Sequence, residues 1–420
     1  MDPRHVVTGR RTVSAMVTPS PAELPPTRRT ARQQRIAKRI HTVADARRLA
    51  KRRVPRPVFD YVEGGAGTES TVRANVAEVA AVGFRPRIGR SGPFGPDLTT
   101  TVLGTPVSMP LLVSPIGFTR MMDPRGDVAG ARAAAAAGTI FTLSSMSGHT
   151  VEEVTAAAGV APWFQLYFLG GRAGAEQLVE RAKKASCPAI VVTLDTQVPG
   201  NRERDLRYGL SPPLEVNRTT AMKMAPHALA HPWWLADLVA DRFQLDLVHA
   251  MDLELDGKRI SGMEALMHWI GTPATFDDFD WIREQFDGPV IAKGVLSGDD
   301  ARRAVDCGAA AIIVSNHGGR QLDPVPATIS VLVEVLDAVG DQVEVIVDGG
   351  FRRGADVVKA VALGARAAMV GRPWAYGLGA AGEPGVSRVL ALLREDIDRT
   401  LRLLGVSSLA ELDSTMITRP

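Results

Sequence analysis

The chain has 420 residues, 45% hydrophobic and 5% aromatic, with a formal net charge of +3 and two cysteines. That is enough apolar material for a large core and too little net charge to argue for a nucleic-acid partner. Cys187 and Cys307 have no metal-ligand spacing, which speaks against a disulfide framework or a thiolate metal centre and suits a reducing compartment. No run of 18 apolar residues and no signal-peptide pattern is found, so a cytoplasmic location is expected.

Residues 1–40 are rich in Pro, Thr and Arg, and this composition predicts a disordered basic tail. Thr42-Val-Ala-Asp45 then reads as a helix start. Beyond Pro55 and Pro57 come Phe59-Asp60-Tyr61 and the cluster Gly64-Gly65-Ala66-Gly67, a weak phosphate-cradle signal because no strand precedes it. From Leu111 one unit, an apolar strand followed by an alanine-rich helical pattern, occurs eight times. The strands read are Leu111–Ile116, Ile140–Ser145, Trp163–Phe168, Ala189–Asp195, Pro289–Gly294, Ala310–Asn316, Glu344–Gly349 and Ala367–Arg372. Such alternation implies a parallel sheet. Eight units with no Gly-x-Gly-x-x-Gly favour an α/β (β/α)8 barrel, the TIM barrel, over a dinucleotide fold. The barrel domain is expected over residues 41–412, with a tail at 413–420. The spacing breaks once, giving an insertion at about 200–275 after strand 4. Its Trp233-Trp234-Leu235 cluster reads as a lid on the active-site face, with contact to a membrane interface as the alternative.

The ends of the eight strands carry the chemistry. They supply Ser114 and Pro115, Ser144, Gln165 and Tyr167, Thr193 and Asp195, Lys293, Asn316 and His317, Asp348-Gly349-Gly350, and Gly371-Arg372. One polar turn residue means little, but eight in register mark a site at the C-terminal face of a barrel. His317 is the candidate base, oriented by Asp195. Arg202 and Arg320 can clamp a carboxylate, and Tyr61 and Tyr167 offer hydroxyls. Lys293, buried in the mouth, calls for an anionic neighbour. The loops ending strands 7 and 8, with Arg352 and Arg372, suit a phosphate. A carboxylate clamp, a base and a phosphate-bearing cofactor together point to oxidation of an α-hydroxy acid by a flavin mononucleotide, since side chains alone cannot accept two electrons.

Phe59-Asp-Tyr61 with Gly64-Gly65-Ala66, Leu143-Ser-Ser145, Gln165-Leu-Tyr167, Thr193-Leu-Asp195, Lys293-Gly294, Asp348-Gly-Gly350 and above all Ser315–Asp323 resemble the FMN-dependent α-hydroxy-acid dehydrogenase/oxidase family, of L-lactate dehydrogenase and glycolate oxidase type. The resemblance covers residues 42–412. It implies FMN as cofactor and His317, supported by Asp195, as base. It places Arg202 and Arg320 on the substrate carboxylate, with Tyr61 and Tyr167 on the substrate. Ser144, Gln165 and Thr193 would bond the isoalloxazine, flanked by Pro115, Ile116 and Gly117, with Lys293 and Ser315 beside it. Asp348, Gly349, Gly350, Arg352, Gly371 and Arg372 would serve the phosphate end. Met146 stands where glycolate oxidases carry tryptophan, which favours L-lactate or a longer aliphatic acid, and Asn201 stands where some members have a second arginine. No haem is expected. The resemblance further implies quinone or oxygen as electron acceptor, peripheral contact with the inner face of the cell membrane as an option, and a homotetramer. A flavin-dependent isomerase and a non-catalytic flavin- or phosphate-binding barrel are the alternatives. The two arginines disfavour the first and the complete set of groups the second.

Overall fold

A computed structural model describes residues 28–89, 95–208 and 218–418. The barrel strands are β1 (Leu111–Val113), β2 (Thr142–Ser144), β3 (Trp163–Leu166), β4 (Ile190–Thr193), β5 (Val290–Val295), β6 (Ala311–Val314), β7 (Glu344–Val347) and β8 (Ala367–Val370). Each falls inside or within one residue of the stretch expected from the sequence. They form one parallel sheet in the order 1-8-7-6-5-4-3-2. A parallel bridge between Val113 and Phe141 closes β1 onto β2, so the sheet is an eight-stranded barrel with helices outside.

The side-chain period of two in a strand explains where the site forms. Leu112, Trp163, Val191, Ile291, Ile313, Ile346 and Met369 fill the barrel interior and are at most 1% exposed. Burying each such side chain contributes about 1.5–3 kcal/mol. Two residues further along each strand the same inward column carries Ser114, Gln165, Thr193, Lys293, Ser315, Asp348 and Gly371. Hydrophobic at one level and polar at the next, the column becomes the floor of a bowl. The hairpin Thr100–Val102/Thr105–Val107 supplies Val102 and Val107 to the interior cluster.

Ahead of the barrel lie helices α1 (Arg28–Ala37), α2 (Val43–Arg53), α3 (Arg56–Glu63) and α4 (Ser70–Ala81). Thr42 caps α2 by accepting from Asp45 N, as its sequence pattern indicated. Helix α1 corrects the expectation of a tail through residue 40: Gln33, Ala37 and Ile40 are buried, and two of the arginines that suggested solvation, Arg29 and Arg32, are paired. Arg29 lies 2.8 Å from Asp123, and Arg32 and Arg53 lie 3.1 and 3.0 Å from Asp237. The first 27 residues of that tail lie outside the described residues. The expected C-terminal tail is likewise tied down, since Ile417 and Thr418 pair antiparallel with Phe84 and Gly83. Between β4 and the helix Phe279–Gln285 the insertion is helical, with Glu203–Tyr208, Arg218–Leu229, Pro232–Ala240, Val248–Met251 and Gly262–Gly271.

Candidate active site

The segment after β6 turns sharply: His317, Gly318 and Gly319 have φ of +57°, +64° and +74°. Glycine accepts that region freely and histidine does not, so His317 is held there by its surroundings. Its N–H donates to Ser315 Oγ at 3.1 Å. Its ring Nδ1 lies 3.0 Å from Asp195 Oδ1, and Nε2 lies 3.3 Å from the Tyr167 hydroxyl. Burial opposes ionisation of Asp195, but the neighbouring His317 and Lys293 outweigh it and keep the carboxyl below its usual range. The carboxylate therefore accepts from Nδ1–H and leaves the Nε2 lone pair facing the cavity. Burial lowers the His317 pKa despite the attraction of Asp195, so the ring is neutral at neutral pH. A neutral imidazole with an oriented acceptor nitrogen and an adjacent anion is able to take up a proton.

A cavity of about 160 Å³ lies above the strand ends. Tyr61, from α3, and Tyr167 both line it. Burial, followed by Asp195, pushes the Tyr167 phenol far up, so it stays protonated and can donate. Arg320 Nη1 donates to the carbonyls of Tyr61 at 2.5 Å and Gly64 at 3.0 Å, and its guanidinium lies 4.8 Å from the Tyr61 ring centroid. Among the described residues its Nε and Nη2 have no protein partner. Arg202 donates to Arg320 O at 3.4 Å and Gln321 Oε1 at 3.5 Å. Burial and the like charge of Arg202 bring the Arg320 pKa down to about 10. Two cations facing one cavity favour an anion between them.

The floor is a hydrogen-bonded row on neighbouring strands. Ser144 Oγ donates to Gln165 Oε1 at 2.8 Å, and Gln165 Nε2 donates to Thr193 Oγ1 at 3.0 Å. Lys293 Nζ, beside a bulge in β5, donates to Ser315 Oγ at 2.9 Å and lies 3.6 Å from Asp348 Oδ2. Ser114 Oγ and Asp348 Oδ1 are buried with no partner. Unpaired buried polar atoms cost about 1–3 kcal/mol each, and here they belong to cavity-lining residues. The backbone of Gly349 and Gly350, at φ of +95° and +89°, forms the wall beside Arg352. A polar floor for a ring edge, apolar flanks from Pro115, Ile116 and Met369, and a glycine loop with a cation fit a flavin mononucleotide.

Of the residues expected at the site, all but Asp195, Ser315 and Asn316 line this cavity; the first two stand behind His317 and Lys293, and Asn316 is bonded to Asn75. Arg372 lines it too, but its guanidinium is engaged with backbone carbonyls of Val62, Gly64 and Gly318. Asp323 serves the fold: its carboxylate accepts from Ser70 Oγ and Thr71 N, both at 2.7 Å, at the start of α4. Burial is the largest single influence and opposes that charge, but the bonds from Thr71 and Ser70 together hold the carboxyl well below its usual range. Sequence reasoning missed Phe118, Leu266 and Trp269, which join Met146 in an apolar wall. Leu266 and Trp269 come from the insertion helix Gly262–Gly271, and the Trp269 ring lies 5.2 Å from that of Tyr167. The Ser261/Glu264 capping box announces this helix in the sequence, although nothing there says which face meets the cavity. The insertion's two adjacent tryptophans also part company. Trp233 is 67% exposed, whereas Trp234 is buried and donates to Met121 O at 2.8 Å, so only the first is free for an interface.

The barrel and the polar cavity at its mouth suit a flavin-dependent oxidoreductase of the α/β barrel class. Residues 50–419 match the FMN-dependent dehydrogenase family, and the chain belongs to it; its cofactor is FMN. The chain is 43% identical over 391 residues, 91% of this chain and 95% of the relative, to pre-mycofactocin synthase of Mycobacterium tuberculosis (strain ATCC 25618 / H37Rv). It is 41% identical over 386 residues, 90% of this chain and 99% of the relative, to L-lactate dehydrogenase of Alcaligenes faecalis. Among solved structures, the monotopic membrane protein (S)-mandelate dehydrogenase superposes with a TM-score of 0.82 at 35% identity, covering 91% of this chain and all of that one.

Proposed function

We propose that this protein oxidises an L-2-hydroxy acid to the 2-oxo acid. The observation that carries the reading is His317, held at Nδ1 by Asp195 and lining one cavity together with Arg202, Arg320 and Tyr167. In this reading Arg202 and Arg320 hold the carboxylate and so fix which hydrogen of the neighbouring carbon meets His317. Tyr61 and Tyr167 bond the substrate oxygens. His317 Nε2 takes up a proton, and Asp195, 3.0 Å from Nδ1, stabilises the imidazolium that results. FMN, when bound, supplies the acceptor for two electrons. Ser144, Gln165 and Thr193 would hold the edge of its ring, and Lys293 would place a buried cation beside it. Asp348, the glycine loop and Arg352 would serve its phosphate end.

The substrate side chain falls to Met146, Phe118, Leu266 and Trp269, which supports an apolar substituent. L-lactate is the smallest such acid, and the breadth of the wall, with (S)-mandelate dehydrogenase among the structural relatives, supports larger ones. For the electron acceptor we favour a quinone at a membrane surface over oxygen. The insertion exposes Met222, Leu229, Trp233 and Phe243 by 54–75%. Among the described residues no helix is long and apolar enough to cross a membrane, so the contact would be peripheral. Anaerobic titration with L-lactate, L-2-hydroxyisocaproate, (S)-mandelate and their enantiomers tests the reading. Bleaching of the flavin by at least one L-acid and by no enantiomer is expected. No bleaching by any of them would refute the reaction class.

A further inference from the structure

The cluster Gly64-Gly65-Ala66-Gly67 and the side chain of Arg372 are both left without a task by the reading above. The structure joins them. Arg372 Nε donates to Val62 O at 3.0 Å, Nη1 to Gly318 O at 2.8 Å and Nη2 to Gly64 O at 2.8 Å. Val62 and Gly64 stand at the C-terminal end of α3, where helical carbonyls lack partners of their own and a cation is favoured. Gly318 directly follows the base. Arg320 grips the same Gly64 carbonyl at 3.0 Å. The glycine cluster then reaches outward: Ala66 N donates to Gly319 O and Gly67 N to Asn201 O, both at 2.9 Å. The segments carrying Tyr61, Arg202 and His317 thus cross at one point. Gly65 lets them approach, since a Cβ there would overlap Val72 and stand 2.7 Å from Gly319 O.

We propose that Arg372 is a positioning residue that sets Tyr61 and Arg320 against His317, and that its guanidinium is not a phosphate ligand. The proposal rests on reading those three groups as substrate-facing. A planar guanidinium reaches three separated carbonyls from three nitrogens, whereas an ammonium has to make all its bonds from a single atom. A small misplacement at such a junction costs the reacting geometry up to about 10²-fold in rate.

The test uses holoenzyme of the wild type and of Arg372→Lys, Arg372→Met and Gly65→Ala. Gly65→Ala disturbs the junction from the side facing Val72. FMN affinity is read from flavin fluorescence on dilution, oxalate affinity from perturbation of the flavin spectrum, and flavin reduction from anaerobic stopped flow at saturating FMN. In all three variants FMN affinity is expected within roughly threefold of wild type, with weaker oxalate binding and reduction slower by about tenfold or more. A role confined to folding would lower the yield of holoenzyme but leave these values per flavin unchanged, and that result overturns the proposal. So does an FMN affinity weakened by about tenfold or more in the Arg372 variants with Gly65→Ala unaffected, the signature of a lost phosphate contact. Reduction of the wild-type flavin by a 2-hydroxy acid checks the reaction class separately; the FMN affinities decide the phosphate assignment whatever the substrate.

Discussion

The strand-end bowl and the insertion after β4 are built on opposite rules. In the bowl nearly every polar group is fixed by a neighbouring strand: Ser144 by Gln165, Gln165 by Thr193, Lys293 by Ser315. The insertion is fixed at a few points, such as Trp234 on Met121 O and Asp237 between Arg32 and Arg53. It buries Leu266 and Trp269 beside the cavity but leaves Met222, Leu229, Trp233 and Phe243 in solvent. Closed sheets give precise placement of reacting groups, whereas a helical excursion can vary its surface without disturbing them. Chemistry should therefore fail when the bowl or Arg202 is altered, and substrate range or docking when the rest of the insertion is.

The largest effect is expected from His317→Ala, which should slow flavin reduction by roughly 10²–10⁴-fold while FMN stays bound. Rapid reduction by a good substrate in that variant, read by stopped flow, would move the base elsewhere. Arg320→Lys keeps the charge but loses the fork. A fall in kcat/KM of roughly 10–100-fold is expected, from charge-assisted bonds worth about 1.5–3 kcal/mol. An unchanged kcat/KM would exclude a bidentate grip.

The pH dependence of flavin reduction sharpens the same side of the comparison. His317 must be neutral to accept a proton, and burial lowers its folded pKa despite Asp195. Reduction should therefore persist below the ordinary histidine value of about 6.5 and disappear as pH falls through the lowered value. A profile already lost above that value would mean that the ring is charged in the resting enzyme.

The smallest effect on chemistry belongs to Trp233→Ser. Its ring is exposed and lies under Arg32, 4.8 Å from the guanidinium. Sedimentation with anionic liposomes should drop by a few-fold, since one interfacial ring is a weak, reversible anchor. Reduction by soluble substrate should stay at the wild-type rate. If neither form sediments and oxygen reoxidises the flavin as fast as a quinone does, the exposed face serves something other than a membrane.

The sequence alone determined the barrel and the ring of groups at its mouth. Both follow from local rules: buried parallel strands read as apolar runs, and polar residues at the ends of eight such runs must meet when the sheet closes. The residues proposed here as base and clamp stood out because Ser315–Asp323 packs histidine, glycine and arginine into one turn. Only tertiary structure decided what depends on partners far along the chain. Arg372 reads as a phosphate ligand by position, yet its nitrogens meet carbonyls more than fifty residues away. Arg29 and Arg32 read as part of a solvated tail, yet Asp123 and Asp237 hold them in a helix. Trp233 and Trp234 are adjacent in sequence, and only the packing of their helix on Met121 separates an exposed ring from a buried one. In each case the composition of the segment gave its polarity but not its neighbour, and the neighbour decides what a charge or a ring does.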